Sequence, residues 1–204
     1  MQNLFEVFLT LGAITYPLSL LCRHGLGATD AAVDAAMGVI VLFPAGFVFS
    51  DAPQMLPPAL QSPLFAPHVA AYMIAYMLLF RAAVPALRVA VGRAGTEGRA
   101  EADSTLVYRI VAAAFPMLTL GLVLGAWWAQ VAWGDYWGWD PKELWSLATW
   151  LLYVAYLHFR RVSSGRFPRM QSALVLAGAV GCLLTLLWVN LAERLFPGLH
   201  MFEM

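Results

Sequence analysis

Charge is scarce in this 204-residue chain, and its scarcity limits what the protein is. Charged residues make up 12% of the sequence, against roughly 25% in soluble domains, and 61% of the residues are hydrophobic. The mean hydropathy is +0.71. The formal net charge is zero and the basic residues are scattered, which argues against nucleic acid as a partner. The composition predicts an integral membrane protein in which residues 1–204 form a single transmembrane domain.

Cysteine is nearly absent as well. Cys22 and Cys182 each stand alone within an apolar run. They form no CxxC pair, no CxxCH haem-attachment site and no zinc-ligand spacing, so roles in disulfide, thiol-redox or c-type haem chemistry are not expected of them. Both are predicted to be small core residues.

Long apolar runs fill most of the chain. A membrane-spanning helix needs about 20 apolar residues, and six stretches meet or approach that length. The sequence therefore predicts an all-α bundle of six transmembrane helices with both termini outside. The first run lacks a positive flank and a small-residue cleavage site, so we expect a retained helix and no removed signal peptide. The six predicted helices cover residues 4–21, 31–49, 67–89, 106–128, 141–159 and 172–191.

Arginine predicts how the bundle is oriented. Eight arginines fall in the loops after the first, third and fifth helices, whereas the opposite side has only Lys142 and Arg194. Basic loops face the cytoplasm, which predicts the inner (plasma) membrane as location and an outer, periplasmic position for residues 133–145. Residues 92–104 are expected to form a solvated cytoplasmic linker, and residues 50–63 an outer loop. The eight are Arg23, Arg88, Arg93, Arg99, Arg160, Arg161, Arg166 and Arg169.

Three charged residues fall within or near the predicted spans, and such residues are functional candidates by default. Asp34 and Arg109 lie near helix ends, from which their side chains can reach the cytoplasmic face. Arg81 lies about fourteen residues into the third predicted helix and therefore more than halfway across, at about 1.5 Å per residue. It is the strongest of the three candidates.

Tryptophan is concentrated in one place. Seven of the eight tryptophans lie between Trp127 and Trp150, around the segment WGDYWGWDPKELW at residues 133–145. One interpretation is an interfacial aromatic belt followed by a helix start, with Asp140 as N-cap. The other is a platform for a large flat apolar ligand such as haem, because the interspersed glycines allow close backbone approach and indole faces stack on a porphyrin. The residues alone leave both interpretations open.

The four histidines favour haem. His68 and His200 lie on the predicted outer side with the tryptophans, and His24 and His158 lie on the inner side. Haem iron takes neutral imidazole ligands, and a porphyrin needs an apolar slot between helices. The sequence thus predicts haem iron ligation by these four histidines, with the outer and inner pairs too far apart to share one haem.

The tryptophan segment also carries a family resemblance. WGDYWGWDPKELWSLATWLLYVAYLHFR closely resembles the WGxxWxWDPKE signature of the CcsA/ResC family of cytochrome c biogenesis proteins. SPLFAPHVAAYMIAY around His68 and FPGLHMF around His200 resemble the family's two external histidines, and YLHFR around His158 its transmembrane histidine. The resemblance covers roughly residue 62 to the C-terminus.

The resemblance implies a function. It implies that haem b is delivered to an outer site, where His68 and His200 ligate the iron while Trp133, Trp137, Trp139 and Asp140 line the ring edge. The haem vinyl groups then react with the CxxCH thiols of an apocytochrome c. His158 marks an inner site, to which position alone adds His24. The implied partners are a CcsB/ResB-like membrane protein, apocytochrome c and a thioredoxin-like reductant, within membrane lipid.

Two alternatives compete with this function. The chain is shorter than usual for the family, which is compatible with a haem b subunit that carries electrons between two bis-histidine haems in a respiratory complex. A quinone-binding or structural membrane anchor, with the tryptophans as a belt, is the third hypothesis.

Overall fold

Six α-helices make up most of the part of the chain that the structure describes. The computed structural model describes residues 4–52, 58–92 and 97–188, and these residues contain no β-strand. Two helices continue as π-helical segments, α1 over Cys22–Leu26 and α6 over Leu184–Trp188, and a short 3₁₀ turn covers Pro58–Gln61. The helices are α1 (Leu4–Leu21), α2 (Ala31–Phe47), α3 (Phe65–Ala90), α4 (Glu97–Trp133), α5 (Pro141–Ser163) and α6 (Pro168–Leu183).

Among the described residues, four helical segments are long and apolar enough to cross a membrane: Phe5–Leu26, Phe65–Ala90, Gly98–Trp133 and Pro168–Leu187. The predicted class, an all-α membrane protein, is confirmed. The α2 helix is shorter, with 17 residues. The α5 helix is continuous, but Trp, Tyr and His lie among its apolar residues and two arginines lie in its last turn, which lowers its mean hydropathy. Six spans and outer termini therefore stay predictions.

The start of α4 differs from the sequence-based expectation. The helix begins at Glu97 and not near residue 106, so the prediction of a linker over residues 92–104 is wrong for its second half. Hydropathy identifies only the apolar part of a helix, whereas Glu, Ala and Arg in this stretch are good helix formers. Contacts also hold it: Arg88 Nε lies 3.3 Å from Asp103 Oδ2, and Arg160 Nη1 donates to Ser104 Oγ at 2.7 Å.

The core lies where α3 packs against α4 and α6, with α5 closing against α6. Small residues allow the close packing of α5 and α6. A Cβ on Gly178 would lie 2.6 Å from the Tyr153 ring, so only glycine fits there without a shift. Cys22 and Cys182 are both buried free cysteines, which confirms the prediction of core residues. The largest fully buried side chains include Tyr153, Tyr156, Leu79, Ile110 and Leu118.

A buried ion pair joins α2 to α3. Arg81 Nε donates to Asp34 Oδ1 at 2.6 Å, and the two side chains are 3% and 12% exposed. The predicted alternative for Asp34, an extended side chain at the cytoplasmic face, is therefore not what the fold shows. Arg88 contacts Asp30 at 3.2 Å and Asp103 at 3.3 Å, which ties α4 to the same end of the bundle. Arg81 thus has a structural role in this fold.

Candidate functional site

His68 lies in the first turn of α3 and faces α4. Its Nδ1 is 2.8 Å from the carbonyl oxygen of Gly121. A carbonyl oxygen only accepts hydrogen bonds, so Nδ1 carries the proton and Nε2 keeps its lone pair. The fold therefore holds Nδ1 in place, and in the neutral ring Nε2 is the nitrogen that can act as a ligand.

Aromatic rings surround this imidazole. Trp128 of α4 stacks on it with 5.9 Å between ring centroids and 22° between planes, and Tyr72 meets it edge-on at 5.1 Å. Trp133 packs against Trp128 at 4.7 Å. The structure thus connects His68 to the predicted Trp133 through Trp128, a residue that the sequence analysis placed at a helix end and did not select.

Two glycines of α4 make room for these rings. A Cβ on Gly125 would lie 2.5 Å from His68 Cε1 and 2.8 Å from Nδ1, and one on Gly121 would lie 3.0 Å from the Tyr72 ring. The sequence analysis missed both residues. Their GxxxG spacing, which is typical of close helix contacts in membranes, is the feature of the sequence that could have identified them.

Trp137, Trp139 and Asp140 form the turn that leads into α5. Asp140 Oδ1 accepts from Glu143 N at 2.8 Å, and Pro141 is the first helical residue, which confirms the predicted helix start. The rings of Trp137 and Trp139 meet edge to face at 6.0 Å. The Trp137 Nε1 is buried without a hydrogen-bond partner among the described residues. This indole N–H can therefore still donate a hydrogen bond to a group that binds at the turn.

The inner histidines lie at another level of the bundle. His24, in the π-helical segment after α1, and His158, in α5, are both exposed. A Cβ on Gly27 would lie 3.7 Å from Arg109 Nη1, and the Arg160 guanidinium lies 5.2 Å from the centroid of the Tyr108 ring, so both segments adjoin the same part of α4. Arg109 lies sixteen residues before Gly125, the glycine packed against His68, which corresponds to about 24 Å along α4.

His200 lies outside the described residues, so its pairing with His68 stays a prediction. The structure brings His68 and Trp133 into one aromatic cluster and Trp137 and Trp139 into one turn. It shows no contact between His24 and His158 within the part of the chain that it describes.

Comparison with known sequences identifies the family. A model of the family described as "Cytochrome C assembly protein" matches residues 1–196. The chain belongs to the cytochrome c assembly protein family. The match includes the tryptophan segment, His24, His68 and His158, and it ends before His200. It also begins well before residue 62, so the resemblance extends further toward the N-terminus than predicted.

Curated members of this cytochrome c assembly family are similar to the chain. A protein named cytochrome c biogenesis protein CcsA from Gloeobacter violaceus is 43% identical over 120 residues, which is 57% of this chain and 34% of that protein. Proteins of the same name from Trichormus variabilis and Microcystis aeruginosa are 46% and 45% identical over 103 residues, covering 50% of this chain and 28% and 30% of theirs. The matched region is thus about a third of each relative's length.

The family membership confirms the predicted CcsA-type resemblance. It favours cytochrome c biogenesis over the predicted alternative of a respiratory electron-transfer subunit. The motif WGDYWGWDPKELW, which carries the resemblance, covers the last residue of α4, the turn and the start of α5, and its Trp133 belongs to the aromatic cluster of His68.

Proposed function

We propose that this chain takes part in cytochrome c biogenesis by binding haem b near the outer face of the inner membrane and positioning it for attachment to apocytochrome c. The observation that carries the proposal is the geometry of His68. Its Nδ1–H is bonded to a backbone carbonyl, which leaves Nε2 as the ligand atom. Iron-ligating histidines in proteins commonly have this second hydrogen bond, which fixes the tautomer and the ring orientation.

The surroundings of His68 fit a porphyrin. Trp128, Tyr72 and Trp133 form an aromatic wall next to the imidazole, and indole faces contribute large apolar contact areas to a flat ring. The Trp137 Nε1–H, which has no partner among the described residues, can donate a hydrogen bond to a haem carboxylate after a small rearrangement of the turn. In this proposal His200 would be the second residue to hold the haem iron, and Trp137, Trp139 and Asp140 would line the ring edge.

Haem is the substrate in this proposal. In the attachment step a cysteine S–H of the apocytochrome adds across a vinyl C=C bond, so one S–C and one C–H bond form while the S–H and the C=C π bond break. The addition is redox-neutral and needs no oxidant, but it needs thiols that are already reduced. The contribution of this chain is to hold the haem in one orientation near the thiols, which is catalysis by proximity.

Further components complete the proposal. His158, with His24, would hold haem at an inner position, near the part of α4 that lies about 24 Å along that helix from Gly125. The region that matches the curated relatives covers about a third of their length, and we propose that a CcsB/ResB-like membrane protein supplies further parts of the site. A thioredoxin-like protein would keep the apocytochrome thiols reduced.

The spectrum of the purified protein tests the proposal. Protein from haem-replete cells should show a b-type spectrum with bis-imidazole features. His68→Gly should lose the outer component, and added imidazole should restore it by occupying the space of the missing ring. The matched variant, His158→Gly, should leave the outer component intact. Colourless wild-type protein, or equal loss in both variants, would contradict the assignment of His68.

A deletion strain tests the biological role. Cells that lack this protein should accumulate no mature cytochrome c, while they retain b-type cytochromes. A respiratory subunit would give the opposite result, with mature cytochromes c present and one respiratory activity lost.

A further inference from the structure

The Glu143 carboxylate accepts hydrogen bonds from the backbone on both sides of Trp139, the residue before the N-cap Asp140. Glu143 Oε2 accepts from the backbone N–H of Gly138 at 2.8 Å and of Asp140 at 3.3 Å. The residue enclosed by these two bonds is Trp139. From this geometry we propose that Glu143 is a positioning residue that holds Trp139 in a left-handed backbone conformation and so fixes where its indole projects.

Trp139 has an unusual backbone. Its φ is +58°, in the region that glycine favours and that bulky residues rarely adopt. Gly134 and Gly138 precede it in the same connection, so the segment does use glycine, yet the left-handed position at residue 139 holds a bulky tryptophan. Strained residues persist only where surrounding contacts hold them, and they occur most often at functional sites.

Helix capping alone does not account for these contacts. In a capping box the N3 glutamate needs to accept only from the N-cap N–H, which here is the bond to Asp140 at 3.3 Å. The shorter bond, at 2.8 Å, goes to Gly138, outside the box. Both are charge-assisted, and such bonds are stronger than neutral ones. Glu143 therefore restrains the backbone on both sides of Trp139.

The restrained side chain is not buried for stability. Trp139 is 66% exposed, and its described ring contact is the edge-to-face one with Trp137. An exposed indole in a strained conformation adds little to the packing of the core, so its fixed direction serves a ligand or a partner. Resting on the proposed function, the ligand is the haem at the outer site.

The test separates the conformation from haem binding. Protein labelled with 5-fluorotryptophan gives one fluorine resonance for each tryptophan, and the Trp139 signal is assigned with Trp139→Phe. In haem-free protein, Glu143→Ala should move the Trp139 resonance toward its value in unfolded protein. Glu143→Gln, which keeps one acceptor oxygen, should retain part of the native shift.

A second cap provides the matched control. Asp30 caps α2 through Val33 N at 3.4 Å, far from the tryptophan segment in sequence. Asp30→Ala removes this cap together with the contact to Arg88, so it should lower thermal stability, and it should leave the Trp139 resonance in place. If Glu143→Ala lowers thermal stability and leaves that resonance unchanged, Glu143 is only a cap and the proposal is overturned.

Haem titration then links the conformation to function. Glu143→Ala should weaken haem binding at the outer site about tenfold, the effect of losing about 1.4 kcal/mol of binding free energy. Unchanged haem affinity with a shifted Trp139 resonance would overturn the role in haem positioning while leaving the proposed function intact. Wild-type protein that binds no haem would refute the proposed function, and the fluorine spectra would still test the conformation.

Discussion

Replacing Gly125 with alanine gives a direct test of the position of His68. A Cβ at this position would lie 2.5 Å from His68 Cε1 and 2.8 Å from Nδ1. Carbon atoms pack at about 3.5 to 4.0 Å, so the imidazole has to move by about 1 Å. The 2.8 Å bond to the Gly121 oxygen would then lengthen, to about 3.8 Å where the ring moves directly away from the oxygen, which is beyond hydrogen-bond range.

The magnitude follows from these distances. Overpacking of this kind costs about 1–3 kcal/mol, and the lost hydrogen bond adds about 1 kcal/mol. Alanine has a higher helix propensity than glycine by about 1 kcal/mol, which offsets part of the loss. We expect a net destabilisation of about 1–3 kcal/mol. If Nε2 ligates iron, the displaced ring should also lower haem affinity at the outer site at least about tenfold.

The control is Gly178→Ala, which creates a comparable clash with the Tyr153 ring between α5 and α6. Both variants are compared in detergent by thermal unfolding and by haem content per protein. Both should lose stability, but only Gly125→Ala should lose the outer bis-imidazole spectrum. Full retention of that spectrum in Gly125→Ala would show that His68 is not a ligand. Loss in both variants would show that haem content reports only stability.

Three further perturbations follow from the polar contacts. Arg81→Met leaves Asp34 buried without its partner and should destabilise the protein by about 3–5 kcal/mol, and adding Asp34→Leu should recover most of the loss in thermal unfolding. Trp150→Phe removes the bond from Nε1 to Thr119 Oγ1 at 3.0 Å and should cost about 1 kcal/mol by the same measurement. Burial by itself would raise the pKa of Asp30, but the hydrogen bond and charge of its arginine partner hold that pKa below its usual 3.8. The stability from this carboxylate is present above that value and is lost as the pH falls through the lowered pKa, so Asp30→Asn should weaken the acid dependence of the melting temperature.

Local chemistry explains which parts of the fold were predictable. The apolar runs predicted five helix starts to within about four residues, because burial in lipid requires the same composition along the whole span. Asp140, Pro141 and Glu143 predicted the start of α5, because capping depends only on neighbours in sequence. The start of α4 was missed, because its first turns are polar and are held by Arg88 and Arg160 from other helices.

The site was predictable only in part. The tryptophan segment and His68 stood out by composition and resemblance. The contact of His68 with Gly121 joins residues 53 positions apart, and it depends on how α3 packs against α4. The pattern of apolar residues within α3 or α4 does not specify which faces of the two helices pack together. Trp128 was missed for the same reason, since stacking on His68 distinguishes it from an interfacial tryptophan.

The length of α4 has a practical consequence for imaging this small protein. Its 37 residues extend about 55 Å, whereas a bilayer core is about 30 Å thick, so several turns project beyond the lipid. The first of them, around Gly98–Ala102, lie before the contacts that Asp103 and Ser104 make with the bundle. A soluble domain joined there through a continuous helix would be carried rigidly and would serve as a fiducial mark for electron cryomicroscopy. The natural helix thus offers a rigid attachment point that a flexible loop would not.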